Sequence, residues 1–278
     1  MTPTEFALVA VSTLFIGAAD AFGGNASRRA SPFTVAAWSQ AIGVPVVLIG
    51  AVLIGGELIA KDLAFGMAAG CGSALGVIFL YRGFRVSSVG IVAPIASSIA
   101  AVIPIALGFA RAERPSLLVA VGVGLAVISI FLVSYVTSEG GFSLAGIAHG
   151  LASGVGFGVM VVSYAATSEA SGIWSAVSGR ATAAMLAAAA VYAFKAVPSI
   201  PREVRVSTML AGLLAAVGMI AFVTVSQTAD LIVLGVTLGL FPTTTVVFAA
   251  LFLKDRLAPW QWVGIATAAT AVTLISIG

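Results

Sequence analysis

The chain carries two versions of one pattern. Glu113-Arg114 closes a long apolar run, and Asp255-Arg256 closes another 142 positions later. At the same offset Gly76 falls on Gly218, Gly122 on Gly264 and Ser134 on Ser276. An offset that holds over such a distance marks an internal duplication. Each copy contains five apolar stretches of membrane length, and five is odd, so the second copy is expected to enter the bilayer inverted relative to the first. The copies are placed at 1–136 and 143–278, meeting between Thr137 and Phe142.

Composition turns this pattern into a fold class. The chain is 60% hydrophobic and only 8% charged, with a mean hydropathy of +1.17, too little polar surface to wrap a soluble core. A hydrocarbon layer of roughly 30 Å takes about 20 helical residues. Spans are expected at 4–27, 32–55, 63–83, 87–109, 116–136, 143–166, 171–194, 207–227, 231–253 and 259–277. The runs are continuously apolar and rich in Ala, Leu and Gly, whereas a membrane β-barrel needs alternation, so helices are the expected solution. The predicted fold is an all-α integral membrane protein of ten transmembrane helices in two inverted five-helix repeats. Charges with Gly or Pro punctuate the runs, as in Arg28 to Pro32, Arg111 to Pro115 and Lys254 to Pro259. The longest polar connector is Lys195 to Arg205.

Charge and absences narrow the function classes. The net charge is +3 with a pI of about 9.4, but the basic residues sit singly or in pairs at span ends, which fits membrane topology and argues against nucleic acid. Connectors after odd-numbered spans hold nine Lys or Arg against three after even-numbered ones, which favours termini outside the cytoplasm. Met1 to Glu5 lack Lys and Arg and Asp20 interrupts the next run, so the first segment is expected to be a retained span. A single cysteine, Cys71, and a single histidine, His149, exclude an intrachain disulfide and the usual metal motifs. None of the three lysines is followed by Ser or Thr, so no Walker A loop exists and ATP is not the direct energy source. No cofactor and no metal are expected. The expected partners are a small-molecule substrate and the lipid bilayer, with the chain acting as a monomer.

Ionisable groups inside a span cost roughly 2.5 to 3.5 kcal/mol each on insertion scales and therefore draw attention. Asp20 could bind a substrate ammonium, carry a coupling proton, cap a neighbouring helix or sit as a water-exposed carboxylate at a helix end. Arg180 could meet a substrate carboxylate or pair with Asp20 or another acid. His149 could titrate near neutrality, or be an ordinary interfacial histidine. His149 and Ser153 stand four apart and share a helix face, which raises an intramembrane hydrolase, but no oxyanion site or third polar partner accompanies them.

Small residues and prolines supply the remaining candidates. Gly146, Gly150, Gly154 and Gly158 recur every four residues, as do Gly66 with Gly70 and Gly72 with Gly76, so each set faces one way and lets helix backbones approach or forms a smooth pathway wall. Pro94 and Pro104 in the fourth span and Pro242 in the ninth are expected to bend their helices, and hydroxyls cluster beside them at Ser97, Ser98, Thr243, Thr244 and Thr245. These hydroxyls either line a pathway or bond back to their own helix. Trp38 and Trp174 hold corresponding places near the starts of the second and seventh spans and read as interfacial anchors, as do Trp260 and Trp262. With those tryptophans aligned, Val44 stands opposite Arg180, a break in the repeat that marks Arg180 as a candidate.

Ten spans in two inverted copies, each with an acid-Arg pair before its last span, resemble the drug/metabolite transporter superfamily of EamA type and, within it, bacterial amino-acid exporters. The resemblance covers nearly the whole chain on loose motifs. Where the family often has Trp-Gly in the first helix, Phe15-Ile16-Gly17-Ala18 keeps the glycine. The family's mid-helix proline matches Pro242, while Ala100 holds the equivalent place in the first copy. The resemblance implies export of amino acids, aromatic or other neutral ones, or of related small metabolites, by alternating access in the bacterial inner membrane. It implies a central cavity from spans 1, 3, 4, 6, 8 and 9, with Gly17, Asp20, Ala74, Ser97, Ser98, His149, Ser153, Gly154, Gly156, Arg180, Pro242, Thr243 and Thr244 as candidates. The absence of large aromatics at Ala74, Ser98, Gly154 and Gly156 implies broad selectivity. Members of the family are drawn with both termini in the cytoplasm, opposite to the charge count. Uptake or multidrug carriage on the same fold, and a channel or structural subunit, stand as the alternatives.

Overall fold

A computed structural model describes residues 3–87, 89–134, 144–252 and 258–277. Among them the chain forms α1 (Pro3–Arg29), α2 (Pro32–Ile54), α3 (Ala60–Val86), α4 (Val89–Ala110), α5 (Leu117–Ser134), α6 (Leu144–Tyr164), α7 (Trp174–Ala193), α8 (Arg205–Ser226), α9 (Leu231–Phe252) and α10 (Pro259–Ile277). Single 3₁₀ turns lie at Glu169–Ser171 and Arg202–Val204, and the described residues contain no strand. Among the described residues, six stretches are individually long and apolar enough to cross a bilayer: Ala7–Arg29, Pro32–Ile54, Ala60–Val86, Leu144–Tyr164, Trp174–Ala193 and Arg202–Ser226. Ile95–Ala110 and Leu117–Ser129 are shorter apolar helices. The chain is a multi-pass helical membrane protein.

The helix limits follow from local chemistry. Pro32 and Pro259 open α2 and α10, where a missing N–H is harmless. Gly55 (φ 82°) and Gly56 (φ 118°) end α2 in conformations that favour glycine. Gly56 has a second reason: a Cβ there would lie 2.8 Å from the Gly172 nitrogen, so the α2–α3 and α6–α7 connectors touch backbone to backbone. Pro45 lies inside α2, which continues through it, as α4 continues through Pro94 and Pro104 and α9 through Pro242.

Helix packing falls into matched pairs. The most extensive contacts join α3 to α6 and α1 to α8; α4 packs on α6 as α9 packs on α1, and α3 on α7 as α8 on α2. Three further pairs, α2 with α7, α4 with α9 and α5 with α10, bring equivalent helices of the two halves together. Glycines make the closest of these crossings. Gly72 and Gly156 each point at the other's carbonyl, with Cβ-to-oxygen distances of 2.5 and 2.6 Å if side chains were added. Between α3 and α7, Gly179 faces the Gly66 carbonyl, while Gly66 faces that of Ser175 and Gly70 that of Gly179. Gly76 receives the Phe157 ring, and Gly218, its counterpart in the repeat, receives Ile16 and the Phe15 Cβ.

The connectors gather at two ends of the bundle. At the end where α1 begins, the Asp62 carboxylate accepts bonds from the backbone N–H and hydroxyl of Ser168, Glu57 donates its N–H to the Ala170 carbonyl, and the Gln227 amide donates to the Gly172 carbonyl. At the other end Arg82 lies over the Phe33 and Phe194 rings, themselves stacked 4.4 Å apart. Thr34 and Trp38 there donate to the Val197 and Pro198 carbonyls of the long connector.

Candidate functional site: a polar interior

Arg180 sits one-third of the way along α7 and is only 5% exposed. Its guanidinium lies where a side chain on Gly43 would be, 2.3 Å from that Cβ position, so the absence of a Cβ on α2 makes the space. One terminal nitrogen donates to the carbonyls of Ser39 in α2 (3.3 Å) and Gly212 in α8 (3.1 Å). The Nε is buried with no hydrogen-bond partner. The pairing with Asp20, one of the two alternatives for this residue, does not form, because carbonyls of two neighbouring helices hold the guanidinium instead.

Asp20 in α1 is 7% exposed, and its Oδ2 is buried without a partner. Tyr81 in α3 lies near both residues. It is buried, lies within electrostatic reach of both Asp20 and Arg180, and directs its hydroxyl at Gly23, three residues beyond Asp20 on α1. Tyr164, at the end of α6, approaches Arg180 from the second half of the chain, its hydroxyl against Gly179. Gln40, next to Ser39 on α2, is 2% exposed; its amide nitrogen donates to the Ser73 hydroxyl of α3 at 3.2 Å, and its Oε1 is buried unpartnered. Buried polar groups are normally satisfied, so the unmet atoms on Asp20, Gln40 and Arg180 draw attention, as do those on Ser87, Ser175 and Thr243 elsewhere in the bundle.

Gln40, Ser73, Tyr81 and Tyr164 were not among the sequence candidates. The signal available was Gln40, an amide well inside an otherwise apolar span, which deserves the scrutiny given to charges there.

The remaining candidates divide. Gly17 presses against α9: a Cβ would lie against the Thr244 hydroxyl and 2.8 Å from the Phe241 carbonyl. That hydroxyl lies 2.8 Å from the Thr13 carbonyl and 2.7 Å from that of Phe241. Thr245 also bonds back to Phe241, the local alternative for these residues, whereas Thr243 keeps a buried Oγ1 without a partner. Ser97 and Ala74 are buried and Ser98 is half-buried. Gly154 faces the Ala96 carbonyl and Ile99 of α4, and Gly156 faces Gly72 and Gly76 of α3, so neither presents its open side to a cavity. Pro104 packs against Gly235 of α9.

The His149–Ser153 pairing is absent. The His149 Nδ1 lies 2.6 Å from the carbonyl of Ala145 on its own helix, and the Ser153 hydroxyl donates to the Gly76 carbonyl of α3 at 2.9 Å. Sharing a face did not bring the two side chains together because each has a nearer backbone partner. Trp38 is 48% exposed with its indole N–H on the Pro198 carbonyl, an arrangement suited to an interface.

Glu113 has a definite task. Its two carboxylate oxygens accept from the backbone N–H groups of Leu231 (3.2 Å) and Ile232 (3.1 Å), capping α9 from the α4–α5 connector. A recess of about 340 Å³ lies beside it, with Glu5, Arg114, Thr228 and Asp230 in its lining. The partner landmark, Asp255-Arg256, lies outside the described residues.

A helical membrane bundle with unmet polar groups in its interior has the construction of a solute transporter. The family model for the EamA-like transporter family matches residues 4–135 and again residues 144–277. The chain belongs to that family, within the drug/metabolite transporter superfamily. No curated protein matches it. Among solved structures, 16 chains match. One, a protein known by its crystal structure, superposes with a TM-score of 0.79 over 99% of this chain and 98% of its own, at 14% identity, a likeness of fold.

Proposed function

We propose that the chain is a secondary transporter that exports amino acids or related small metabolites across the bacterial cytoplasmic membrane. The observation that carries this reading is the buried polar set of Asp20, Gln40 and Arg180, held by helices from both family-model matches. Polar groups inside a membrane bundle are costly and concentrate along substrate pathways. The two halves are read as inverted five-helix repeats, 1–136 and 143–278, and the matched packing of α3 on α6 and α8 on α1 supports that. Relative movement of such repeats exposes one central site alternately to each side. Asp20, Arg180 and the α4 and α9 hydroxyls Ser97 and Thr243 are the proposed pathway residues.

The test is solute counterflow in liposomes containing the purified protein, with a panel of amino acids and with or without a pH gradient. Saturable uptake accelerated by internal unlabelled solute is expected. Flux that neither saturates nor responds to internal solute would identify a channel, and no flux of any panel member would sink the amino-acid reading. Export, as against uptake, predicts that cells expressing the protein tolerate toxic amino-acid analogues better than control cells.

A further inference from the structure

Arg180 is a cation with no anion. Its guanidinium carries five N–H donors and keeps its charge at any physiological pH. Two neutral carbonyls, Ser39 and Gly212, take bonds from one terminal nitrogen, while Nε has no partner and no described carboxylate pairs with the group. The arrangement is fixed from three sides: α7 supplies the side chain, Gly43 of α2 leaves the space, and Gly212 of α8 presents its carbonyl. The terminal nitrogen so held has no further hydrogen to give and Nε packs against α2 at Gly43, so the second terminal nitrogen is the donor left for an anion, and a singly charged carboxylate accepting from it would supply the counter-charge the guanidinium lacks.

Gln40 complements it from the next position on the same helix. Gln40 and Gly43 are three residues apart, so the amide projects from the side of α2 on which Arg180 rests. Ser73 holds the amide nitrogen, which leaves Oε1 as a buried acceptor with nothing to accept. Asp20 on α1 likewise has an unpartnered Oδ2, and Tyr81 lies within electrostatic reach of it and of Arg180. The interior thus offers one unpaired cation and two unpartnered oxygens.

We propose that Arg180 is the receptor for the carboxylate of the transported solute, and that Gln40 accepts a hydrogen bond from a donor group on the same molecule. The site then takes small carboxylates bearing an ammonium or hydroxyl group and rejects amines that lack the carboxylate. This rests on the transport reading above and narrows it to a division of labour between residues.

The experiment uses the full-length protein in liposomes, with each panel amino acid tested beside its decarboxylated amine and its deaminated acid. Exchange is expected for members with a carboxylate and not for the amines. Arg180→Gln should lower carboxylate exchange by at least about tenfold, the scale of a lost hydrogen bond to a charged group, and Arg180→Lys should restore part of it. Gln40→Leu, close in volume, should raise KM for the amino acids by about tenfold while leaving their deaminated acids unchanged. Elution profile and thermal midpoint are measured for every variant, and should Arg180→Gln not fold, Arg180→Lys and Gln40→Leu decide the matter. Amines exchanged as well as their parent amino acids, or folded variants with unaltered exchange, overturn the assignment while leaving transport intact. No flux of any solute overturns the transport reading and the assignment with it.

Discussion

The seams along α3 and the interior around Arg180 are built from similar apolar helices, and they differ in what meets their backbone carbonyls. Along α3, the carbonyls of Gly156, Ser175 and Gly179 meet bare glycines at Gly72, Gly66 and Gly70, and the helices close until no side chain fits. Around Arg180, the carbonyls of Ser39 and Gly212 meet a guanidinium, and polar atoms on Gln40, Asp20 and Arg180 stay unmatched. The seams gain packing energy that lipid cannot supply. The interior shares such packing, with Gly212 meeting the Ser39 carbonyl 2.7 Å from its Cβ position, and carries unmet polar demand besides. The two regions therefore differ in how much polar demand they leave unmet, and substitutions in them should fail differently.

The largest effect is expected in the seam. Gly72→Leu places a branched side chain where the Gly156 carbonyl and the Met160 backbone nitrogen already stand, at 2.5 and 2.8 Å from the Cβ position. Backbone on both sides leaves nothing flexible to yield, and overpacking of this kind costs about 3 kcal/mol or more. Loss of the monodisperse peak in size-exclusion chromatography is the expected readout. Gly124→Ala, where a Cβ meets nothing within 4 Å, is the matched control and should leave elution and thermal midpoint unchanged. Equal tolerance of both substitutions would remove the seam from the account of stability.

Asp20→Leu should invert that outcome. Replacing a buried carboxyl group that has an unpartnered oxygen by an apolar side chain of similar size removes a desolvation penalty on the scale of about 1 to 3 kcal/mol. The thermal midpoint is expected to rise while solute exchange falls at least tenfold, the stability–activity trade expected of a strained functional group. A variant that is both less stable and fully active would assign Asp20 to the structural side of the comparison.

These contrasts explain what could be read from the chain alone. Helix limits were legible because Gly, Pro and charges interrupt apolar runs, and Asp20 and Arg180 were legible because a charge in such a run is conspicuous. Gln40, Ser73 and Tyr81 were not, since an uncharged polar residue in a span is unremarkable until its partner is known, and Ser73 lies 33 residues from Gln40. The glycine periodicity correctly suggested close backbone approach, but α6 carries glycines on more than one face. Only the packing assigns Gly154 to α4 and Gly156 to α3. Glu113 was legible as a landmark of the duplication and illegible as a cap, because the N–H groups it accepts from lie 118 and 119 positions away.

Glu113 joins the two kinds of region, as a charged group fully engaged in structure. Removing it leaves the first N–H groups of α9 without their acceptor, so Glu113→Ala is expected to lower stability by about 1 to 2 kcal/mol, in the range of a lost helix cap. Glu113→Gln keeps an acceptor but loses the charge that complements the helix N-terminus, and should lose roughly half as much. Thermal unfolding in detergent measures both. Because the carboxylate ties the α4–α5 connector to the start of α9, its removal should also speed alkylation of a cysteine placed at Ser116, beside the recess, in a Cys71→Ala background. An unchanged midpoint and alkylation rate would reduce the two bonds to incidental contacts.

The smallest effect is expected at Ser153, and it bears on both function class and architecture. The hydroxyl donates to the Gly76 carbonyl across the α3–α6 seam, a single interhelical bond inside a contact that glycine packing already holds. Bonds of this type in membrane bundles average about 0.6 kcal/mol, because the separated helices also find partners. Ser153→Ala should therefore shift the thermal midpoint slightly and leave exchange within about twofold of the parent. A hydrolase would instead lose activity by orders of magnitude on losing its nucleophile. The geometry already opposes that, since the hydroxyl and the His149 ring each bond to a different backbone carbonyl. A large loss of exchange in Ser153→Ala with an unchanged midpoint would break the comparison from the seam side, by showing that a residue fully satisfied in packing also serves the solute.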